Sequence, residues 1–138
     1  MAVSDRMPDS IDVFDFFDAV VQQDAEMLRT FFEPDATIVW ANTNEQFTVD
    51  EYIRANCEYP GDWKGHIEDI QCYSRLQSYS RMIILAKVWN GGGNASRVVS
   101  FIELGDAEDK RIQSMVEYWG DIGEPPKWRQ ELGIGKRY

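Results

Sequence analysis

The chain is short of the residues that most often announce a chemistry. It has one histidine, His66, and two cysteines, Cys57 and Cys72, in 138 residues. Without a CxxC pair or a second imidazole, neither a Cys/His zinc site nor a disulfide framework is expected. The two cysteines read as reduced thiols of a cytoplasmic protein. Cations are scarce as well: 14 Lys and Arg stand against 24 Asp and Glu, a formal charge of −10. Nucleic-acid affinity rests on cations that neutralise phosphates, and an anionic bilayer makes the same demand, so neither is an expected partner. No apolar run approaches the ~18 residues that span a bilayer, Met82–Ala86 being among the longest. The opening Met1-Ala2-Val3-Ser4-Asp5-Arg6-Met7-Pro8 lacks the basic start and apolar core of a secretory signal. The sequon Asn94-Ala95-Ser96 is then a chance match.

What the chain does have is apolar and aromatic surface, 43% hydrophobic and 13% aromatic with five tryptophans. That suffices for one domain over residues 1–138, with 122–138 as a C-terminal tail. Asp9 or Ser10 caps a first helix running to about Gln22. Its Ile11, Val13, Phe14, Phe16, Phe17, Val20 and Val21 cover most of the circumference. A second helix begins near Asp24, carries Met27, Leu28, Phe31 and Phe32 on one stripe, and stops at Pro34-Asp35. Ala36–Ala41 reads as a strand, turned by Asn42-Thr43-Asn44 into a short return strand at Gln46-Phe47. Thr48-Val49-Asp50-Glu51 is a capping box for a third helix that buries Val49, Tyr52, Ile53 and Cys57 and ends before Pro60-Gly61.

Four longer strands follow, at His66–Leu76, Arg81–Trp89, Ser96–Leu104 and Lys110–Gly120. Turns near Gln77-Ser78, Asn90–Asn94 and Gly105–Asp109 are short enough for antiparallel hairpins. Asn90-Gly91-Gly92-Gly93-Asn94 joins two strands and is followed by no GK[ST], so it is a hairpin tip and no phosphate loop. Helices first and a meander last imply an α+β domain whose curved sheet wraps the early helices. The prolines at 125 and 126 end the last strand, because each lacks a ladder donor. The tail beyond holds Lys127, Arg129, Lys136 and Arg137 and is expected to dock back on the acidic body.

The richest stretch for chemistry is Met115-Val116-Glu117-Tyr118-Trp119-Gly120-Asp121. At period two, Glu117, Trp119 and Asp121 share one face and Val116 and Tyr118 the other. Two carboxylates beside an indole suit a pocket wall, and suit a solvated face almost as well. In an apolar pocket such a carboxyl would rise in pKa by desolvation and serve as a general acid or base. Glu117, Asp121 and His66 are therefore the candidate catalytic residues. His66 would form a dyad with Glu68, on a face shared with Ile70 and Cys72. Trp40, Tyr52, Trp89, Trp119 and Trp128 are candidates to line an aromatic cavity. Tyr52 and Asn56, one helical turn apart, offer hydrogen bonds there, and Tyr118 completes the candidate ligand contacts.

The order of elements resembles the nuclear transport factor 2-like (NTF2-like) superfamily, and within it the SnoaL-like group. The resemblance runs from Ile11 to Asp121. It is carried by the Phe-rich first helix, Pro34-Asp35-Ala36 before the first strand, Asp109-Lys110-Arg111-Ile112 before the last, and Glu117-Tyr118-Trp119 near its end. It implies a cone of three N-terminal helices on a strongly curved, mixed but mainly antiparallel sheet, with a mostly apolar cavity and a homodimer through the outer sheet face. The superfamily's isomerases use an aspartate on an early strand, yet residues 36–42 hold no acid and the first helix has no tyrosine. Its scytalone-type dehydratases need two histidines, and this chain has only His66. SnoaL-type cyclases use an aspartate on a late strand, a place Asp121 could fill. The expected function is a pocket for a small hydrophobic ligand, with cofactor-independent acid/base chemistry of isomerase, cyclase or dehydratase type and no metal. The alternative is a non-catalytic interaction or scaffold module.

Overall fold

The first helix, α1 (Val13–Val21), starts where Asp12 caps it, the carboxylate accepting from the Asp15 amide at 3.1 Å. A carboxylate there satisfies an orphan N–H and complements the helix dipole. The computed structural model describes residues 11–74, 80–105 and 109–138, so the expected caps Asp9 and Ser10 lie outside the described residues. Val13, Phe16, Phe17 and Ala19 are buried while Phe14 is 55% exposed, so α1 buries one broad face and not most of its circumference.

Helix α2 (Ala25–Arg29), capped by Asp24, is shorter than expected. Leu28 is fully buried and Met27 half exposed, whereas Phe31 and Phe32 leave the helix altogether. Strand β1 (Phe32–Trp40) starts there and takes in Pro34. The proline fits because the ladder jumps from Phe32–Ile112 to Thr37–Ser114, leaving it in an unpaired stretch that needs no N–H. A single 3-10 turn, Ala41–Thr43, is closed by Asn44 at φ 57°, a left-handed position asparagine tolerates, and leads into β2 (Glu45–Phe47).

Helix α3 (Val49–Cys57) opens with the full capping box. The Glu51 amide donates to Thr48 Oγ1 at 3.2 Å and the Thr48 amide donates to the Glu51 carboxylate at 2.9 Å. Val49, Tyr52 and Ile53 are buried, and Cys57 partly so.

Strands β3 (Trp63–Ser74), β4 (Ser80–Asn90), β5 (Ala95–Leu104) and β6 (Ile112–Asp121) complete a six-stranded sheet ordered β2-β1-β6-β5-β4-β3. Every pair is antiparallel except β1 with β6. The Asn90–Asn94 connection is a hairpin tip, held by Asn90 N donating to Asn94 O at 3.1 Å, with Gly93 at φ 94°. The turn at Gln77-Ser78, and residues 106–108 of the Gly105–Asp109 turn, lie outside the described residues. The sheet is curved and mixed, α1 packs on β3 and α3 on β1, and the architecture is the expected α+β.

Between the layers, Phe31 and Phe32 meet Phe16 edge-on at 5.5 and 6.0 Å, and Tyr52 lies 5.5 Å from Phe32. Such tilted pairs add to the burial of the rings themselves. Beyond β6, a short helix α4 (Lys127–Glu131) leaves Trp128, Leu132 and Ile134 about 60% exposed. Among the described residues, the tail's basic side chains show no ion pair with the acidic body. Arg137 pairs with Glu124 inside the tail at 3.0 Å, and contact with the body runs the other way, Arg97 lying 5.3 Å over the Tyr138 ring.

Candidate functional site

Strand β6 sets the geometry of the site. Met115 and Glu117 are buried and Trp119 partly so, while Tyr118 is 54% exposed on the opposite face, 6.0 Å from Phe101. Because β6 lies between β1 and β5, Glu117 has an inward neighbour on each side, Trp40 across the parallel ladder and Ser100 across the antiparallel one. Both donate to it, Trp40 Nε1 at 3.1 Å and Ser100 Oγ at 2.6 Å. Burial raises the Glu117 pKa above the ordinary carboxylate value, and hydrogen bonds from Ser100, Trp40 and Trp119 oppose that rise. Four rungs along, on the same face, Ser96 repeats the pattern, its Oγ donating to Asp121 at 2.9 Å. The end of β6 is clamped by Asn42, which accepts from the Trp119 amide at 2.6 Å and donates back to the Trp119 carbonyl.

A cavity of about 330 Å³ opens at this end of the sheet. Its walls are Val20 and Val21 of α1, Asn56 of α3, and Trp40, Trp63, Val88, Ser96, Trp119 and Asp121 of the strands. The helical wall is tied together by side chains. Gln23 Nε2 donates to the carbonyls of Asn56 and Tyr59, both at 2.8 Å, and Asn56 Nδ2 donates to the Val20 carbonyl at 3.0 Å.

Of the residues singled out from sequence, Trp40, Asn56, Trp119 and Asp121 stand on this wall. Glu117 does not. It lies behind the wall, held by two of the indoles that form it. Tyr52 is 1% exposed, a core residue whose hydroxyl pKa is pushed well up by burial and then by the nearby Glu117. Tyr118 points away from the cavity, a correction to its candidacy as a ligand contact.

His66 is corrected as well. Its ring packs 5.6 Å from Trp89 on the outer face, and its Nε2 is 3.9 Å from a Glu68 carboxylate that Arg97 already engages at 3.0 Å. The reason is a bulge: β3 pairs Ile67 with Ala86 and then Asp69 with Leu85, leaving Glu68 as an extra residue. An inserted residue flips the pleat, so Ile70 and Cys72 turn inward opposite Ile84 and Met82 while His66 stays outside opposite Lys87. Trp89 shares that outer face, and Trp128 sits in the exposed tail.

Sequence reading missed Ser96, Ser100, Asn42, Gln23 and Trp63. The serines had a signal, because they alternate with Val98 and Ile102 on the inward parity of β5. Gln23 had none, its role depending on a left-handed φ of 56° just after α1.

No protein-family model and no curated protein matches the sequence. Solved structures do. A ketosteroid isomerase-like protein from Kribbella flavida is 20% identical over 91% of this chain and 87% of its own, with a TM-score of 0.65. An NTF2-like protein of unknown function from Burkholderia xenovorans is 16% identical over 91% and 92%, with a TM-score of 0.66. A SnoaL-like protein of the polyketide-cyclase kind from Shewanella putrefaciens is 18% identical over 85% and 83%, with a TM-score of 0.58. At these identities the likeness is one of fold: the chain has the NTF2-like cone, as its order of elements implied.

Proposed function

We propose that the chain binds a small, largely apolar ligand in the cavity of about 330 Å³, with Asp121 as the acid that meets it. One observation carries this reading: three tryptophans, Trp40, Trp63 and Trp119, converge on one space with a carboxylate at its rim. A mostly apolar hollow with a few placed polar groups is the common form of a small-molecule site. Ketosteroids and polyketides, the skeletons named for two of the similar structures, are ligands of this type. Cofactor-independent acid/base chemistry of isomerase, cyclase or dehydratase type would fall to Asp121, since Glu117 is walled off and acts by holding Trp40 and Trp119. A broad steroid- and polyketide-like library tests the reading. Ligands that bind only the folded state should raise the melting temperature by mass action, and a library with no hit would refute it.

A second reading has its own observation. Phe101 and Tyr118 are 43% and 54% exposed side by side on the outer sheet face, which supports a protein-protein role for that surface. We propose that it forms a homodimer of single-domain chains, residues 122–138 being a tail to each. The two free thiols, Cys57 and Cys72, favour action in the cytoplasm. Among the described residues, no helix is long and apolar enough to cross a membrane.

A further inference from the structure

We infer that the cavity selects ligands carrying a protonated amine or a quaternary ammonium on an apolar body; the inference rests on reading the cavity as a ligand site. The first support is sign. Among the described residues that line it, none is Lys, Arg or His, while Asp121 and Glu45 are acids. The sheet sorts its charges by face at this end: His66, Lys87 and Arg97 occupy one outward row across β3, β4 and β5. An anionic ligand would meet carboxylates and no cation.

The second support is the supply of hydrogen-bond donors. Each side-chain amide of the wall already gives at least one hydrogen bond within the protein: Gln23 to two carbonyls, Asn56 to Val20 and Asn42 to Trp119. Its indoles are engaged too, Trp63 on the Pro60 carbonyl at 3.2 Å and Trp40 on Glu117. The Ser96 and Thr43 hydroxyls donate to Asp121 and Glu45. A ketone or carboxylate entering the cavity would depend on the Tyr59 hydroxyl and the second amide hydrogens of Asn42 and Asn56 for a donor, or break one of these bonds. A donor would not, because a carboxylate has about four acceptor sites.

The third support is the aromatic geometry. Tyr59 and Trp63 meet at 83° with centroids 5.4 Å apart, so they form two walls of a corner, and Trp40 and Trp119 contribute further rings. Rings thus make up much of this wall, and a cation held over the face of such a ring is attracted by its quadrupole. Carboxylates, an aromatic corner and the lack of any cation among the described lining residues together describe an ammonium site.

Three probes on one skeleton test this: tryptamine, tryptophol and indoleacetate, titrated calorimetrically at about 0.15 M salt to screen the chain's overall charge. Tryptamine should bind about tenfold more tightly than tryptophol, and indoleacetate not measurably. Asp121→Asn should reduce tryptamine to the tryptophol level, with the variant's melting temperature confirming that it folds. Tryptophol or indoleacetate binding as tightly as tryptamine would overturn the inference and leave the cavity standing as a ligand site. Failure of all three on the native protein would remove both readings. An amine preference that survives in Asp121→Asn and in Trp119→Ala alike would belong to the net charge of −10 and would also overturn it.

Discussion

Ser100→Ala isolates the polar part of the site. Ser100 is 5% exposed and Glu117 6%, so the 2.6 Å bond between them is made without water. The substitution leaves almost no void, so its cost is the acceptor left short of a donor, about 1–3 kcal/mol. In a chain of this size that lowers the melting temperature by about 3–10 °C. The cost should also depend on pH. Burial raises the Glu117 pKa in the folded state and the Ser100 bond opposes that rise. A carboxyl raised on folding contributes stability that is complete below its unfolded pKa and is lost as pH climbs through the folded value. Removing Ser100 raises the folded value further and deepens that loss. Urea unfolding at about pH 5 and about pH 8 should therefore show a larger penalty at the higher pH. In a Glu117→Gln background, which cannot ionise, the difference between the two pH values should vanish. An equal penalty at both pH values in the native background would refute the reasoning.

Two further outcomes test the surrounding frame. A Cβ on Gly65 would stand 2.8 Å from the Lys87 carbonyl oxygen and 3.0 Å from both Phe17 and Val88. Gly65→Ala should cost about 1–3 kcal/mol by overpacking, read by thermal denaturation, and an unchanged melting temperature would disprove that close α1–sheet contact. Phe101→Lys with Tyr118→Lys should convert a dimer to monomers in sedimentation at tens of micromolar without unfolding the chain, both residues being surface-exposed. Sedimentation of the native protein as a monomer would rule out the outer-face dimer.

Much of the frame was legible because it is written in local chemistry. The Thr48–Glu51 box, the Asn90–Asn94 tip and the alternation along β6 each follow from one or two residues and are found as read. The misread parts depended on partners far along the chain. Phe31 and Phe32 fit a helical stripe as well as a strand, and pairing of Phe32 with Ile112 decides for the strand. His66 and Ile70 keep strict period two in sequence, and only the mismatch between β3 and β4 reveals the extra residue at Glu68. Glu117 and Asp121 share a face as expected. Their depths differ because Trp40 and Trp119 cover the first and stop short of the second, which no single-strand pattern encodes.

The parallel seam between β1 and β6 has a kinetic consequence. Trp40 and Glu117 are 77 residues apart, and β6 must insert between β1 and β5 before either strand has both its neighbours. Contacts of such separation require closing a long loop first, so folding should be slow for a domain of this size. During synthesis β1 and β2 leave the ribosome as a small hairpin with an open edge, and they wait while α3, β3, β4 and β5 are made. Until β6 arrives, that edge is a strand-pairing surface open to other chains, and it is there that a nascent copy would misassemble.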